Sequence, residues 1–384
     1  MAISYMKKEL PLAYIELSKK NLIHNINQFR SFAKKGTKFS VAIKGNAYGH
    51  GQMEVAKIAG KYADYLQVDS IEDLVMLRKV SRKAVFIFGY VQKSELTLAI
   101  KLRCILSVFS IEQLKEINIR AQKLKIKQEI HIPVDAFLGR EGFMISELDE
   151  VFEEVKKCTN IRLTGLYAHF ANIEDTKDFS HAQKQINQYR LAVKLAYKHG
   201  FRKFHSHISA TSGLLVYEKS KGIHPLVRLG IGVYGMWPSK YLRSIYKNLK
   251  INLKPIMTWK TKVAKIKILP KGATIGYGLT YKTNKQMKIA IIPQGYADGL
   301  DRGFSNNGFV LIRGTRCKIL GRVHMNMSAV SVDHLPNVKI EDEVVILGRQ
   351  GKEEISAEEM AERIDTINYE LTTRISPLLP RVVV

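Results

Sequence analysis

Between residues 40 and 230 the chain alternates short β-branched or apolar runs with longer amphipathic stretches. The runs begin at SVAIK (40), YLQVD (65), VFIF (85), ILSVF (105), EIHIPV (129), LTGLYAHF (163), FHSHIS (204) and LVRLG (226). Between most of them lie helical patterns such as SIEDLVMLRKV and SIEQLKEINIRAQKL. Ser110 opens the second of these with Gln113 three residues later, a spacing suited to a capped helix start. Repeated βα units demand a parallel sheet, because parallel neighbours need a crossover, and eight of them favour closure into a barrel. The competing doubly wound sheet lacks its usual phosphate loop here, since no GxGxxG follows the first run.

Beyond about residue 250 the texture changes. MTWKTKVAKIKIL, MKIAIIPQGYADG, GFVLIRGTRCKILG and EDEVVILG alternate or run apolar between Gly, Pro and Asn, the pattern of antiparallel strands. One helix is expected at SAEEMAERI, where Ser356 and Glu359 have capping-box spacing. The reading is an eight-stranded, TIM-like α/β barrel over residues 1–245 followed by a mostly antiparallel β domain over 246–384.

Composition excludes several alternatives. Hydrophobic residues at 46% and charged residues at 25% are ordinary globular usage, against disorder. No apolar run approaches the ~20 residues of a membrane helix, and the opening lacks a signal peptide's apolar centre, so the expected compartment is the cytoplasm. Cys104, Cys158 and Cys317 are odd in number and far apart, which argues against a disulfide framework or thiolate zinc site. The net charge of +26 invites a nucleic-acid reading. However, its lysine pairs (Lys7-Lys8, Lys19-Lys20, Lys34-Lys35, Lys156-Lys157) are dispersed and form no basic arm, so specific nucleic-acid binding is disfavoured.

Barrel enzymes gather reactive groups at the C-terminal ends of their strands. Lys44 follows the first run, Arg140 the fifth, His169 the sixth, Thr211 the seventh and Arg228 the eighth, so all five are expected at one mouth. The loops after strands seven and eight, with Thr211, Ser212 and Gly213 and with Gly230, Ile231 and Gly232, suit a phosphate. A phosphorylated aldehyde facing Lys44 therefore fits, although the glycines of LGIGVYG also suit plain packing. His205 and His207 share a strand face at a spacing metals use, but no third ligand is evident and no metal is expected. Asp298 and Asp301 read as turn formers rather than a carboxylate pair.

With VAIKGNAYGHG, GLYAHFA, RLGIGVYG, IGYGLTY, GYADGLDR, GRVHMNM and INYE in this order, the sequence resembles the alanine racemase family along nearly its whole length. That family consists of pyridoxal-phosphate enzymes with an N-terminal barrel and a C-terminal β domain. The resemblance implies that Lys44 carries the cofactor as a Schiff base. Tyr48, Thr211, Gly230, Ile231 and Tyr369 would then lie at the phosphate, His169 beside the pyridine ring and Arg228 at its nitrogen. It implies Tyr277 as a second catalytic base, supplied by the partner chain of a homodimer, with His169 and Arg228 as the groups that assist its phenol. Arg140, Tyr296, Met325 and Asn326 would meet the substrate.

Three positions depart from the resemblance. Pro133 stands where the family commonly has a carbamylated lysine that holds the arginine; Arg140 then needs another anion, and chloride is expected rather than Asp135, which is better placed for the turn. Ala210-Thr211 replaces the phosphate-loop Asn-Ser, and Asn326 replaces an aspartate, leaving a broader or serine racemase as the alternative. A barrel decarboxylase is disfavoured because that class places an acid where Arg228 stands, and a non-catalytic cofactor-binding protein because its single-domain relatives lack the domain carrying Tyr277.

Overall fold

The computed structural model describes residues 10–217, 225–246 and 251–384; the Lys7-Lys8 pair lies outside them. The chain forms two compact units, one of Asn21–Ala47 with Gln52–Lys254, the other of Tyr48–Gly51 with Pro255–Val384 and the residues before Asn21.

In chain order β1 (Tyr14–Leu17) belongs to the second unit. The first unit holds β2 (Lys38–Ala42), β3 (Tyr65–Val68), β4 (Val85–Ile87), β5 (Ile105–Ser107), β6 (Gln128–Pro133), β7 (Ile161–Tyr167), β8 (His205–His207) and β9 (Leu226–Leu229). These are the eight expected strands, all parallel, in the order β8-β7-β6-β5-β4-β3-β2-β9. A parallel bridge between Ala210 and Arg228, with the Arg228 N–H donating to Ser209 O at 3.0 Å, joins the two ends and closes the barrel.

Strands covered on both faces read as continuous apolar runs, and VFI and LVRL are buried throughout. Two of the helices between them, and one after β9, start where a serine hydroxyl takes an otherwise unpaired N–H. Ser70 accepts from Asp73, Ser110 from Gln113 and Ser239 from Leu242, each cap stabilising its helix by about 1 kcal/mol. Every second strand residue faces inward, which stacks Tyr65 on Phe86 at 4.6 Å between centroids and sets His207 against Tyr167 at 5.4 Å.

The second unit continues with β10 (Met257–Lys262), β11 (Lys265–Leu269), β12 (Thr274–Ile275), β13 (Tyr281–Lys282), β14 (Met287–Ile292), β15 (Phe309–Ile312), β16 (Thr315–Leu320), β17 (Ser328–Ser331), β18 (Glu343–Gln350), β19 (Glu353–Ile355) and β20 (Arg381–Val383). Its main sheet runs β11-β14-β17-β16-β15-β18-β10-β1-β20, with β19 on β18, and is antiparallel except for the β1–β20 pair. Trp259, fully buried, donates its indole N–H to Gln294 Oε1 at 2.8 Å, so the largest core side chain leaves no unpaired polar group. The expected helix forms at Ala357–Arg363, with the Ser356 hydroxyl accepting from the Glu359 N–H. All three cysteines are buried free thiols.

Gly49 fastens the short Tyr48–Gly51 segment to the helix Asn368–Thr373 of the same unit. Its φ is +81°, a Cβ there would lie 1.8 Å from Thr372 O, and its own carbonyl accepts from Arg381 Nη2 at 2.7 Å. Gly49→Ala therefore combines a left-handed backbone penalty with a collision against rigid backbone. It should lower stability by roughly 2–4 kcal/mol, read as a fall in the urea midpoint; a midpoint equal to that of the unaltered chain would contradict the close approach.

Candidate active site

The first β strand of the barrel gives way to a segment of unusual backbone. Ile43 still donates to Gln67 O at 2.8 Å, but Gly45, Asn46, Ala47 and Tyr48 all have φ between 53° and 57°. Asparagine tolerates this region, whereas Ala47 and Tyr48 pay on the order of 1–2 kcal/mol each. The turn is held by the Ala47 N–H on Ile43 O at 2.9 Å and the Gln52 N–H on Asn46 Oδ1 at 2.9 Å. Such local strain marks a place where a side chain is being aimed. Here it lies directly after Lys44, whose Nζ donates to Asp69 Oδ1 at 3.2 Å. Asp69 sits just beyond β3, the neighbouring strand.

On β9, the strand paired with β2, Arg228 points inward and is 5% exposed. A guanidinium only donates, so every partner must accept. Nη1 reaches His207 Nδ1 at 2.6 Å and His207 O at 2.9 Å; Nη2 reaches Ala168 O at 2.7 Å, Ile208 O at 3.1 Å and His169 Nδ1 at 3.1 Å. Because His207 Nδ1 accepts, its neutral ring carries the proton on Nε2, which faces His131 Nδ1 at 3.0 Å. His131 is accommodated by Gly165, where a Cβ would fall 2.3 Å from its Nε2. Burial pushes Arg228 down to about 10, still charged at neutral pH. Burial, then the neighbouring cations Arg228, Arg140 and Lys44, push His169 down to about 3. Burial, then His205 and Arg228, do the same for His131, and burial, then Arg228, hold His207 well below its ordinary value. Lys44, Arg140, His169 and Arg228 thus act on one another in one mouth, as the strand ends suggested. The Arg228 Nε–H makes no hydrogen bond among the described residues.

The phosphate-loop candidates divide. Thr211 is buried, and its hydroxyl accepts from the Gly230 N–H at 3.2 Å, tying the loops after β8 and β9 together next to Ile231. Ser212 is engaged by Glu174 at 2.5 Å, and Gly232 is a packing glycine whose Cβ would meet Phe29 at 2.5 Å. His205 and His207, read as a metal-like pair, turn instead to Tyr65 Oη at 3.2 Å and to Arg228 with His131.

Arg140 corrects one expectation. Its guanidinium is held by Glu141 through Nε–H to Oε2 and Nη2–H to Oε1, the latter at 2.6 Å. Asp135 does remain in the turn, accepting from Leu138 N–H at 2.9 Å and Gly139 N–H at 3.1 Å. The chain therefore supplies the anion for which chloride was expected. Nothing in the residue spacing signalled Glu141 or Asp69, each a lone carboxylate in a loop.

The other unit carries the remaining site residues. Tyr48 and Tyr369 face each other at 6.0 Å between rings. Tyr277, Tyr296, Met325 and Asn326 line a depression of about 530 Å³ together with Arg302, Arg322 and His324. The Tyr277 ring lies 4.7 Å from His324 and is 72% exposed. Within its own unit the phenol's neighbour is thus His324, which the sequence reading missed. Asp298 and Asp301 form turns, accepting from Gly295 N–H at 2.9 Å and Gly303 N–H at 2.7 Å.

Two family models match the chain, the alanine racemase N-terminal domain over residues 17–238 and the alanine racemase C-terminal domain over 256–383. The alanine racemase of Leptospira interrogans is 33% identical over 98% of this chain and 97% of its own length, and that of Carboxydothermus hydrogenoformans 36% over 97% and 99%. The solved alanine racemase of Clostridium difficile 630 superposes with a TM-score of 0.90 at 30% identity, covering 98% of this chain and 97% of that one. The fold and these matches define an isomerase of the barrel-plus-β-domain class, an amino-acid racemase. The chain belongs to the alanine racemase family.

The buried imidazoles generate a pH test. Their folded-state values lie below the ordinary ~6.5, so unfolding takes up protons, and stability present above pH ~6.5 is lost as pH falls toward the folded values near 3. Between pH ~6.5 and 5 each such group should contribute a loss of roughly 1–2 kcal/mol. His131→Asn keeps an acceptor for His207 and should reduce proton uptake on unfolding by about one; unchanged uptake in calorimetry across this window would place the titration elsewhere.

Proposed function

We propose that the protein is a pyridoxal-phosphate-dependent alanine racemase that works by two bases, Lys44 of one chain and Tyr277 of its partner, and supplies D-alanine for cell-wall precursors in the cytoplasm. The observation that carries this reading is the convergence of Lys44, Arg140, His169 and Arg228 at one barrel mouth, with an uncommitted Arg228 Nε–H among them. Family membership supports the same choice. In this reading residues 1–245 form the cofactor-binding barrel and 246–384 the domain that completes the partner's site.

The residues fit the cofactor by chemistry. Lys44 offers a primary amine for an aldehyde, Arg228 a donor that never gives up its proton, and Thr211 with Gly230 and Ile231 a small-residue loop for phosphate, to which Tyr48 and Tyr369 add hydroxyls. Bound pyridoxal phosphate supplies the conjugated ring that weakens the Cα–H bond of an amino acid. Arg228, being a donor only, leaves the ring nitrogen unprotonated, which restrains that withdrawal and disfavours side reactions such as transamination. Inverting a Cα centre requires a proton to leave one face and return on the other, so Lys44 and Tyr277 stand as bases on opposite faces. Arg140 receives the substrate carboxylate, with Tyr296, Met325 and Asn326 at the substrate end.

Exposure supports the homodimer. Tyr277, Leu279, Tyr296, Met325 and Met327 are 72%, 67%, 44%, 56% and 48% exposed on their own unit. Large apolar groups exposed together ask for a cover, and a second barrel bringing Lys44 provides one. No described helix is long and apolar enough to cross a membrane. Asn326, exposed in the same depression without an aspartate's charge, favours a broader racemase acting on serine as the second reading.

Borohydride reduction of the protein with pyridoxal phosphate, followed by peptide mapping, should place the pyridoxyl group on Lys44, and an adduct elsewhere would remove the central assignment. With several L-amino acids offered separately, loss of optical rotation should be fastest with alanine; serine overtaking it would select the second reading, and no loss with any would sink both. Tyr277→Phe should suppress removal of the proton from one enantiomer by about 100-fold while cofactor binding persists. Near-normal rates in both directions would contradict the two-face arrangement.

A further inference from the structure

Arg140 stands at the tip of a tightly clamped loop. The Val134–Phe143 bridge closes it, with the Asp135 N–H on Phe143 O and the Phe143 N–H on Pro133 O, both at 3.0 Å. Asp135 spends its carboxylate on the Leu138 and Gly139 N–H groups, and Pro133 carries no charge. Glu141 is the carboxylate that reaches Arg140 among the described residues. Its side chain is 22% exposed against 60% for that of Arg140, so the acid lies inward and the base outward.

The geometry of the pair is specific. Oε1 and Oε2 take the Nε–H and one Nη2–H, the side edge of the guanidinium fork. Both Nη1 hydrogens and the second on Nη2 remain, and one from each nitrogen makes the end edge, the other face suited to a bidentate carboxylate. Burial raises the Glu141 carboxyl, but the Arg140 hydrogen bond and charge outweigh it and hold it below the ordinary range; the same pair raises Arg140.

We propose that Glu141 is the positioning residue of this site, fixing the guanidinium plane of Arg140 so that its end edge receives the carboxylate of the amino-acid substrate. This rests on the assignment of Arg140 to the substrate in the proposed function. An arginine on a flexible stem loses rotamer freedom on every binding event, and a neighbour that already holds two of its donors removes most of that cost beforehand. The anion is internal to the chain, so the site needs neither carbon dioxide nor a halide.

The test uses the holoenzyme with L-alanine and, separately, propionate, a carboxylate of the same carbon skeleton without the amine. Glu141→Gln removes the charge at nearly constant shape, Glu141→Ala removes the contact, and Glu141→Asp shortens it. The first two should raise KM and the propionate Kd by about tenfold or more with kcat changed less than about threefold, and Asp should recover part of the loss. The unaltered enzyme should keep its KM within about twofold in buffers freed of bicarbonate and of chloride. If Glu141→Ala unfolds, Glu141→Gln decides. Wild-type KM and propionate Kd in a folded Glu141→Gln enzyme would overturn the proposal, as would a several-fold rise in the unaltered enzyme's KM on removing either anion. A protein that racemises nothing, yet binds propionate and loses it in Glu141→Gln, would overturn the racemase reading and keep the Arg140–Glu141 device.

Discussion

A guanidinium buried inside a barrel is the constraint around which this site is arranged. A charge removed from water costs several kcal/mol unless it is hydrogen-bonded, and both terminal nitrogens of Arg228 meet that demand through carbonyl oxygens at the ends of two strands and through two imidazoles. Those carbonyls are available only because β7 and β8 finish at the same height, just where the backbone turns away from the sheet. The imidazoles must then be neutral and in one tautomer, since a protonated ring would offer a second donor to a group that already donates. The interior polarity of the barrel's mouth end thus follows from one residue on β9.

The end of the neighbouring strand β2 is governed by backbone rather than charge. Four successive left-handed residues after Lys44 take the chain out of the barrel unit at Tyr48, and it re-enters at Gln52. The short excursion is pinned in the other unit by the close approach of Gly49 to Thr372, and beside it Tyr48 faces Tyr369. A lysine and a tyrosine four residues apart therefore belong to different units, and the tyrosine's segment is the one held by a close glycine contact.

Much of this was legible in the residues. The eight barrel strands lie within two residues of where their apolar runs begin, because strands buried on both faces leave continuous hydrophobic signals, and serine caps mark two of the helices between them. Lys44, Arg140, His169, Thr211 and Arg228 were legible as candidates from strand ends alone, since barrel topology fixes which ends share a mouth. Asp69, Glu141 and His324 were not, as a single polar residue in a loop has no period or spacing, and its partner is chosen by three-dimensional proximity. His131 and His207 were half legible. Their inward register follows from the period of the strands, but their chain of contacts to Arg228, on the strand that closes the barrel beside β8, has no spacing in the sequence.

The lone carboxylates matter because of what they offset. Lys44, Arg140 and Arg228 place three fixed cations at one mouth, and Asp69 and Glu141 each pair with one of them, leaving Arg228 to neutral acceptors. These arrangements differ in purpose. A pair with a half-exposed partner, such as Lys44 with Asp69, is held weakly in water and exchanges readily. The Glu141 pair is forked and its acid lies inward, so it persists as a rigid unit with one edge free. Among the described residues Arg228 makes no ion pair, and its charge is spread over neutral acceptors. A mouth built this way remains positive toward an incoming anion, while among the described residues Lys44 keeps a releasable partner, Arg140 a forked one and Arg228 a set of neutral acceptors.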